Sequence, residues 1–427
     1  MTHSPASRDI VVTTLSNGIR VITEPMPAVR SAAAGIWIGA GSRAESPAEN
    51  GISHFIEHML FKGTARRGAE DIAREVDALG GQIDAFTGRE LAGYTIKVLD
   101  QHLPLAFDIL ADMLLHPRFD AEDVEKEKGV ILEELKMETD NPESLIHDLF
   151  VSNFWKRHPL GRPIIGTRRT IESFEPEVLR AFHERIYVPA NITITAAGNL
   201  SHESVAALAH QYFGALRPAG APLRLTAPRP RPAITLKNKR SLQQVQVCVG
   251  APCYPVNHPL RYACYTLNVV LGASMSSRLF QNIRERQGLA YNIFSELQLY
   301  HDSGCLAVYA ATSPATVRPL LDNVLHEFRR VKEEPLGEDE LRHAKDHMKG
   351  SLLLSLEGTT SRMTNLARQW MNFERFFTLD EIAGAIEQVT AEQVQQAARD
   401  FLQPEKLALT LLGRMDRAPV TREDLAC

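Results

Sequence analysis

The chain of 427 residues has no run of apolar residues long enough to span a bilayer, for which a helix needs about 20. Its first dozen residues, Met1 to Val12, lack the apolar core of a secretory signal and are too short for an organellar transit peptide. These absences predict a cytoplasmic, bacterial-type protein with no membrane partner. Charge of one sign is missing too. Lys and Arg number 47 against 52 Asp and Glu, a net charge of −5, and no basic block stands out; nucleic acid is excluded as an expected partner. Cysteine is scarce: the five, at 248, 253, 264, 305 and 427, all fall in the second half, an odd number without zinc-finger spacing. Reduced thiols in a cytosolic chain are the reading.

What is present is sharper. Residues 54 to 58 read His54-Phe55-Ile56-Glu57-His58. Positions i and i+4 of a helix share a face one turn apart, so both imidazoles can reach one ion at the roughly 2.0–2.1 Å of zinc–nitrogen bonds. Glu57 stands beside them, placed to take a proton from water at the metal. Ile52, Phe55, Ile56, Met59 and Leu60 recur at helical spacing, Gly51 and Gly63 bracket the run, and Asn50 is the expected N-cap. Two histidines need a third ligand and one open position to be catalytic.

The acidic stretch 120–136 offers that ligand. Val124, Glu127, Ile131, Glu134 and Leu135 fall on one helical face, and Glu133 lies about 100° from Glu134. A carboxylate on a buried face is costly unless paired or metal-bound, which selects Glu134 as ligand and Glu127, two turns back, as its neighbour behind the metal. Glu122, Glu125, Glu133 and Glu138 read as solvated.

With 44% hydrophobic residues the chain can bury more than one core. Pro218, Gly220, Pro222, Pro228, Pro230 and Pro232 mark an extended linker at 216–232. It separates a domain at 1–215, carrying the metal site, from a related domain at 233–427 without one. The halves align weakly: Glu134 falls near Ser351, and the two histidines near Ala263 and Leu267. Short strands alternate with helices without a parallel-sheet series, which gives an α+β fold of two related mixed α/β sandwiches.

His54 and His58, followed 76 residues later by Glu134, resemble the pitrilysin-type inverzincin metallopeptidases, the family of mitochondrial processing peptidase and insulin-degrading enzyme. Phe61-Lys-Gly-Thr64, His158-Pro-Leu-Gly-Arg-Pro-Ile-Ile-Gly-Thr167 and Tyr187-Val-Pro-Ala-Asn191 add to the resemblance, which runs from about residue 13 to 415. It implies one zinc ion per chain on His54, His58 and Glu134, with Glu57 as general base. It implies two domains facing each other as a clamshell around an enclosed chamber, where extended or unstructured peptides are hydrolysed.

The segment Met275 to Tyr291 resembles the family's arginine–tyrosine pair, here Arg284 and Tyr291, donors suited to a substrate carbonyl or oxyanion. Residues 80–88 read as a strand between glycines. In the family that strand is a sheet edge that takes substrate by β-addition, which makes Asp84, Ala85 and Phe86 substrate-binding residues. Asp84 stands where the family often has asparagine, and an ionised aspartate cannot donate to a substrate carbonyl. Relatives with all subdomains in one chain are about twice this size, so a homodimer is expected, with a heterodimer as the alternative. The rival function is a non-catalytic core or substrate-recognition subunit. Such subunits lose part of the metal set, and here it is whole. His343 and His347, also i and i+4, lie among lysines with no third ligand and read as a solvated face; His147 and His158 read as structural or surface residues.

Overall fold

The computed structural model describes residues 9–219, 225–415 and 420–427. Gly220 and Pro222 of the expected linker, and residues 1–8 of the stretch Met1 to Val12, lie outside them. The first half carries strands β1 (Val11–Thr14), β2 (Arg20–Pro25), β3 (Ser31–Ile38), β4 (Gln82–Thr87), β5 (Ala92–Leu99) and β6 (Ile192–Gly198). The second carries β7 (Ile234–Asn238), β8 (Val245–Pro252), β9 (Ile293–Leu299), β10 (Gly304–Thr312) and β11 (Ala408–Gly413).

Helices α1 (Ile52–Leu60) and α2 (Ala69–Ala78) lie between β3 and β4. Between β5 and β6 come α3 (Leu103–Leu115), α4 (Ala121–Asp140), α5 (Pro142–Phe154), α6 (Arg168–Glu172) and α7 (Pro176–Ile186); α8 (His202–Phe213) follows β6. Helix α9 (Arg261–Leu271) lies between β8 and β9. Between β10 and β11 come α10 (Val317–Glu333), α11 (Glu338–Ser355), α12 (Thr359–Phe373), α13 (Leu379–Glu387) and α14 (Ala391–Phe401).

The two sheets repeat one topology. The first is ordered β1-β2-β6-β3-β5-β4 and the second β7-β11-β8-β10-β9. In each, one parallel pair (β2 with β6, β7 with β11) leads into an antiparallel run that ends on an edge strand, β4 or β9. Among the described residues, strand β1 is the only addition. The weak internal repeat of the sequence is thus an architectural one, and the fold is α+β in two related halves.

Each sheet buries both faces. Along β3, Ala32, Ala34, Ile36 and Ile38 join the larger core with α1, α3, α7 and α8, whereas Ala33 and Trp37 point the other way, to Met363 and Ala367 of α12. Along β8, Val245, Val247 and Val249 meet α9, α10 and α14, whereas Cys248 faces Ile146 and Phe150 of α5. This is the period-two alternation of a strand applied to two unequal cores.

The compact units are therefore not contiguous in sequence. One comprises Met1–Lys136, Arg162–Leu225 and Leu354–Thr378; the other comprises Met137–Gly161, Thr226–Leu353 and Leu379–Cys427. A boundary at 216–232 separates the strands of the two sheets but not the helices that cover them. Helix α5, with Ile146, Phe150, Val151 and Phe154 buried, closes the second sheet, and α12 closes the first. A glycine marks each close approach. A Cβ on Gly35 of β3 would sit 2.5 Å from Met363 Sδ, and one on Gly250 of β8 would sit 2.7 Å from Phe150 Cζ.

All five cysteines are free thiols, with Cys248, Cys264 and Cys305 buried. Among the described residues no helix is long and apolar enough to cross a membrane.

Candidate metal centre

Helix α1 forms because its five apolar side chains fall on one face and all are buried. His54, Glu57 and His58 share the opposite face, which stays partly open. The helix starts at Gly51, where φ is 95° and a Cβ would sit 2.6 Å from the Ile165 carbonyl oxygen, so only glycine fits. The N-cap expected at Asn50 is not formed. Its amide donates instead to Glu45 Oε2 at 3.2 Å and to the Pro163 carbonyl at 2.9 Å. The cap is supplied from outside the helix: the buried Glu45 carboxylate accepts from the N–H groups of Gly51 (2.8 Å) and Ser53 (3.0 Å). A negative charge at this helix end is favourable, although burial still raises the Glu45 pKa against the pull of those bonds.

Helix α4 presents the second side. Val124, Glu127 and Ile131 are buried as the spacing requires, and Glu133 turns outward to pair with Lys136. Burial departs from the expectation at one place. The enclosed carboxylate is Glu127, 3% exposed, whereas Glu134 is 40% exposed at the rim of the same face. Glu127 bears its charge because it is paired twice, with His58 Nδ1 at 2.8 Å and Lys62 Nζ at 2.6 Å.

Glu134 Oε1 lies 3.7 Å from His54 Nε2, and its Oε2 lies 3.5 Å from His58 Nε2. One donor atom from each of the three residues lies within 4.8 Å of the others. Zinc bonds of about 2.0–2.1 Å in a tetrahedron set ligands about 3.4 Å apart, so two imidazoles and a carboxylate at these separations suit that ion. Among the described residues no other group of three such side chains converges. Burial, then the charge of His58, pushes His54 down to about 4, which keeps its imidazole in the neutral form a metal requires. Its Nδ1 is buried with no hydrogen-bond partner, leaving Nε2 directed at Glu134. For His58, burial disfavours the charged ring, but the Glu127 bond and the surrounding carboxylates prevail and raise its pKa. Around His58, then, the carboxylates favour positive charge.

Glu57 accepts a 2.5 Å hydrogen bond from Thr87 Oγ1 at the end of β4. Burial raises its pKa, and the Thr87 bond opposes that shift. A cleft of about 310 Å³ opens here, bordered by Glu57, His58, Lys62, Asp84, Ala85 and Glu127. Among the described residues strand β4 is the sheet edge, hydrogen-bonded to β5 alone. Ile83 and Ala85 pack toward the core, whereas Gln82, Asp84 and Phe86 alternate outward, Phe86 edge-on to Trp37 at 6.0 Å. Asp84 accepts from the Ala85 N–H at 3.0 Å.

Arg284 and Tyr291 meet one another. Arg284 lies on a π-helical turn, Phe280–Arg286, with its guanidinium 5.0 Å over the Tyr291 ring and 4.6 Å over Phe280. Tyr291 is 80% exposed. Both belong to the second unit, whereas His54, Glu57, His58, Glu127 and Glu134 belong to the first. His343 and His347 are exposed on α11. His147 stacks on Tyr309 at 3.5 Å, and His158 donates from Nε2 to the Thr226 carbonyl at 2.8 Å.

Sequence reasoning passed over Glu45, Lys62 and Thr87. Lys62 carried a signal, standing four residues after His58 and so on the same helical face. Glu45 and Thr87 carried none, because loop and strand residues reach α1 only through the tertiary fold.

Two family models match the chain: the insulinase model (peptidase family M16) over residues 20–168, and the peptidase M16 inactive domain over residues 173–348. An uncharacterized zinc protease of Bacillus subtilis, YmxG, is 40% identical over 406 residues, 95% of this chain and 98% of its own. An uncharacterized zinc protease of Mycobacterium leprae is 39% identical, over 93% of this chain and 90% of its own. Among solved structures, a protease from Helicobacter pylori superposes with a TM-score of 0.89 at 20% identity, over 96% of this chain and all of its own. A peptidase M16 inactive domain from Pseudomonas fluorescens gives 0.88, also at 20% identity and with the same coverage.

Proposed function

The chain belongs to the insulinase family of peptidases, M16, and from that premise we propose that it is a zinc-dependent endopeptidase acting on extended or unstructured peptides. The observation that carries this reading is the convergence of His54, His58 and Glu134, from two helices, on one point beside Glu57. These three residues would hold one zinc ion per chain. The chemistry zinc supplies there is Lewis acidity toward a peptide carbonyl and toward water.

The chain's own residues do the rest. Glu57, held at Oε2 by Thr87, takes a proton from the attacking water and delivers it to the leaving amine nitrogen. Its raised pKa brings the carboxylate nearer to a group that can both accept and return a proton. Glu127 fixes the His58 ring through Nδ1, a carboxylate–histidine arrangement typical of zinc ligands. The free edge of β4 offers backbone groups along Asp84, Ala85 and Phe86, and a peptide pairing there is read by its extension rather than its sequence. Arg284 and Tyr291 are donors for a substrate carbonyl or oxyanion. The enzyme works in the cytoplasm as a homodimer.

The test is a peptide-library digest with and without phenanthroline, on wild type, Glu57→Gln and His58→Ala, with metal analysis of the same samples. Glu57→Gln keeps zinc and loses cleavage; His58→Ala loses zinc. Undiminished cleavage by Glu57→Gln would remove it as the base. Zinc bound by a wild type that cleaves no peptide would favour the non-catalytic subunit instead. Sedimentation of an active monomer would dispose of the dimer.

A further inference from the structure

The cleft beside α1 holds a cation that the reaction does not use. Lys62 sits just past the C-terminal end of α1, which closes on Phe61. Its ammonium lies 2.6 Å from Glu127 Oε2, while the other oxygen of that carboxylate, Oε1, lies 2.8 Å from His58 Nδ1. The Lys62 side chain is 35% exposed at the lip of the cleft, and the Glu127 carboxylate between it and the imidazole is almost wholly enclosed.

We propose that Lys62 is a positioning residue for the zinc ligand His58, acting through Glu127; the inference rests on the zinc-site reading above. A carboxylate on a long side chain can rotate about its last bond. With one oxygen fixed by the ammonium, the other is held toward Nδ1, and the ring is turned so that Nε2 faces Glu134. An enclosed carboxylate with one partner removed is poorly satisfied and is no longer held toward Nδ1. Lys62 thus keeps Glu127 aimed. A charge alone does not specify this role, since the lysines on either side of Glu127 in sequence are committed elsewhere, Lys126 to Glu122 and Lys128 to Glu125 and Glu175. The placement requires a residue whose chain starts at the end of α1 and returns along the helix, and position 62, one turn beyond His58, provides it.

The experiment measures the zinc dissociation constant by chelator competition for wild type, Lys62→Met, Lys62→Arg, Glu127→Gln and the Lys62→Met/Glu127→Gln double variant, together with kcat and KM on one peptide. Outer-shell partners of a zinc ligand are worth about 10- to 100-fold in affinity. Lys62→Met, one bond further out, is expected to weaken zinc about 10-fold and to lower kcat with KM unchanged. Lys62→Arg restores both. In the Glu127→Gln background Lys62→Met adds nothing, because the two residues act as one unit. Zinc affinity equal to wild type in Lys62→Met overturns the proposal, and a raised KM with unchanged zinc makes Lys62 a substrate contact instead. Additive losses in the double variant overturn it as well. So does a lower unfolding midpoint of chelator-treated Lys62→Met that arginine fails to reverse, the mark of a merely structural residue. Wild type that binds no zinc refutes the underlying site reading, a result distinct from all of these.

Discussion

The two sheets share a strand order and differ in what lies on the helix that crosses them. Helix α1 carries His54, Glu57 and His58 on a face left partly open. On α9, the corresponding helix, Ala263 and Leu267 fall where the histidines stand, and both are buried, Leu267 completely. Glu127 and Glu134 of α4 find Ala344 and Ser351 at the same interval on α11, with Ala344 buried. On α9 the second half is packed where α1 is partly open, whereas on α11 Ala344 is as enclosed as Glu127 and Ser351 is exposed, as Glu134 is at its rim. An imidazole or carboxylate enclosed without a partner is costly, so a copy without the metal is best filled with apolar groups. The scaffold therefore does not need the metal site. The site instead needs a scaffold that leaves one helix face uncovered.

The two halves should part most sharply at Glu57. Its replacement by glutamine should lower kcat/KM by about 10²- to 10⁴-fold, the range of general acid–base catalysis, with bound zinc and thermal stability retained. Installing a site residue in the other copy should do the opposite. Leu267→His is expected to cost about 3–5 kcal/mol in denaturant unfolding, from lost apolar burial and an unpaired imidazole, and to bind no second zinc. A stable variant with two zinc ions would show that the second half is merely unloaded.

Acid distinguishes the units as well. His183 of α7 donates to the Leu114 carbonyl at 2.8 Å and stacks on Tyr187, and burial pushes it down to about 4. Helix α14, which occupies the matching place before the last strand of the second sheet, has no histidine; His147, stacked on Tyr309 of that sheet, is also lowered by burial, but Glu296, Glu143 and Asp148 oppose the shift. The unfolded chain protonates the His183 ring near 6.5, so below that pH it binds a proton that the folded form refuses. The contribution of His183 is therefore full above about pH 6.5 and fades as pH falls toward 4, by up to about 3 kcal/mol. Hydrogen exchange at pH 5 should loosen the first sheet before the second, and His183→Gln should remove part of that difference. Equal loosening of both sheets in the wild type would count against it. The smallest effect belongs to the exposed pair on α11: His343→Gln with His347→Gln should change stability by less than about 0.5 kcal/mol and leave zinc content unaltered.

Much of the site was legible because helices are periodic. Spacing alone placed His54, Glu57 and His58 on one face, and put Val124, Glu127, Ile131 and Glu134 on another. Which of the two α4 glutamates was enclosed did not follow, since both fall on the same face and only the packing of α1 against α4 buries Glu127 and leaves Glu134 at the rim. Asn50 illustrates the same limit. Its residue type suits an N-cap, yet the buried Glu45 takes the helix N–H groups and Asn50 serves Glu45. The repeat was visible as a faint alignment, but strand order made it firm, because hydrogen-bonded register survives sequence drift that side chains do not.

The sequence by itself put His54, His58 and Glu134 forward as candidate donors, gave the helix face each occupies and showed two related halves, because 3.6-residue and two-residue periods are local properties of the chain. The tertiary structure alone decided that α5 closes the second sheet and α12 the first, that Thr87 holds Glu57, and that Lys62 reaches Glu127. Those are contacts between segments far apart in sequence. They depend on how whole elements pack, which no local period encodes.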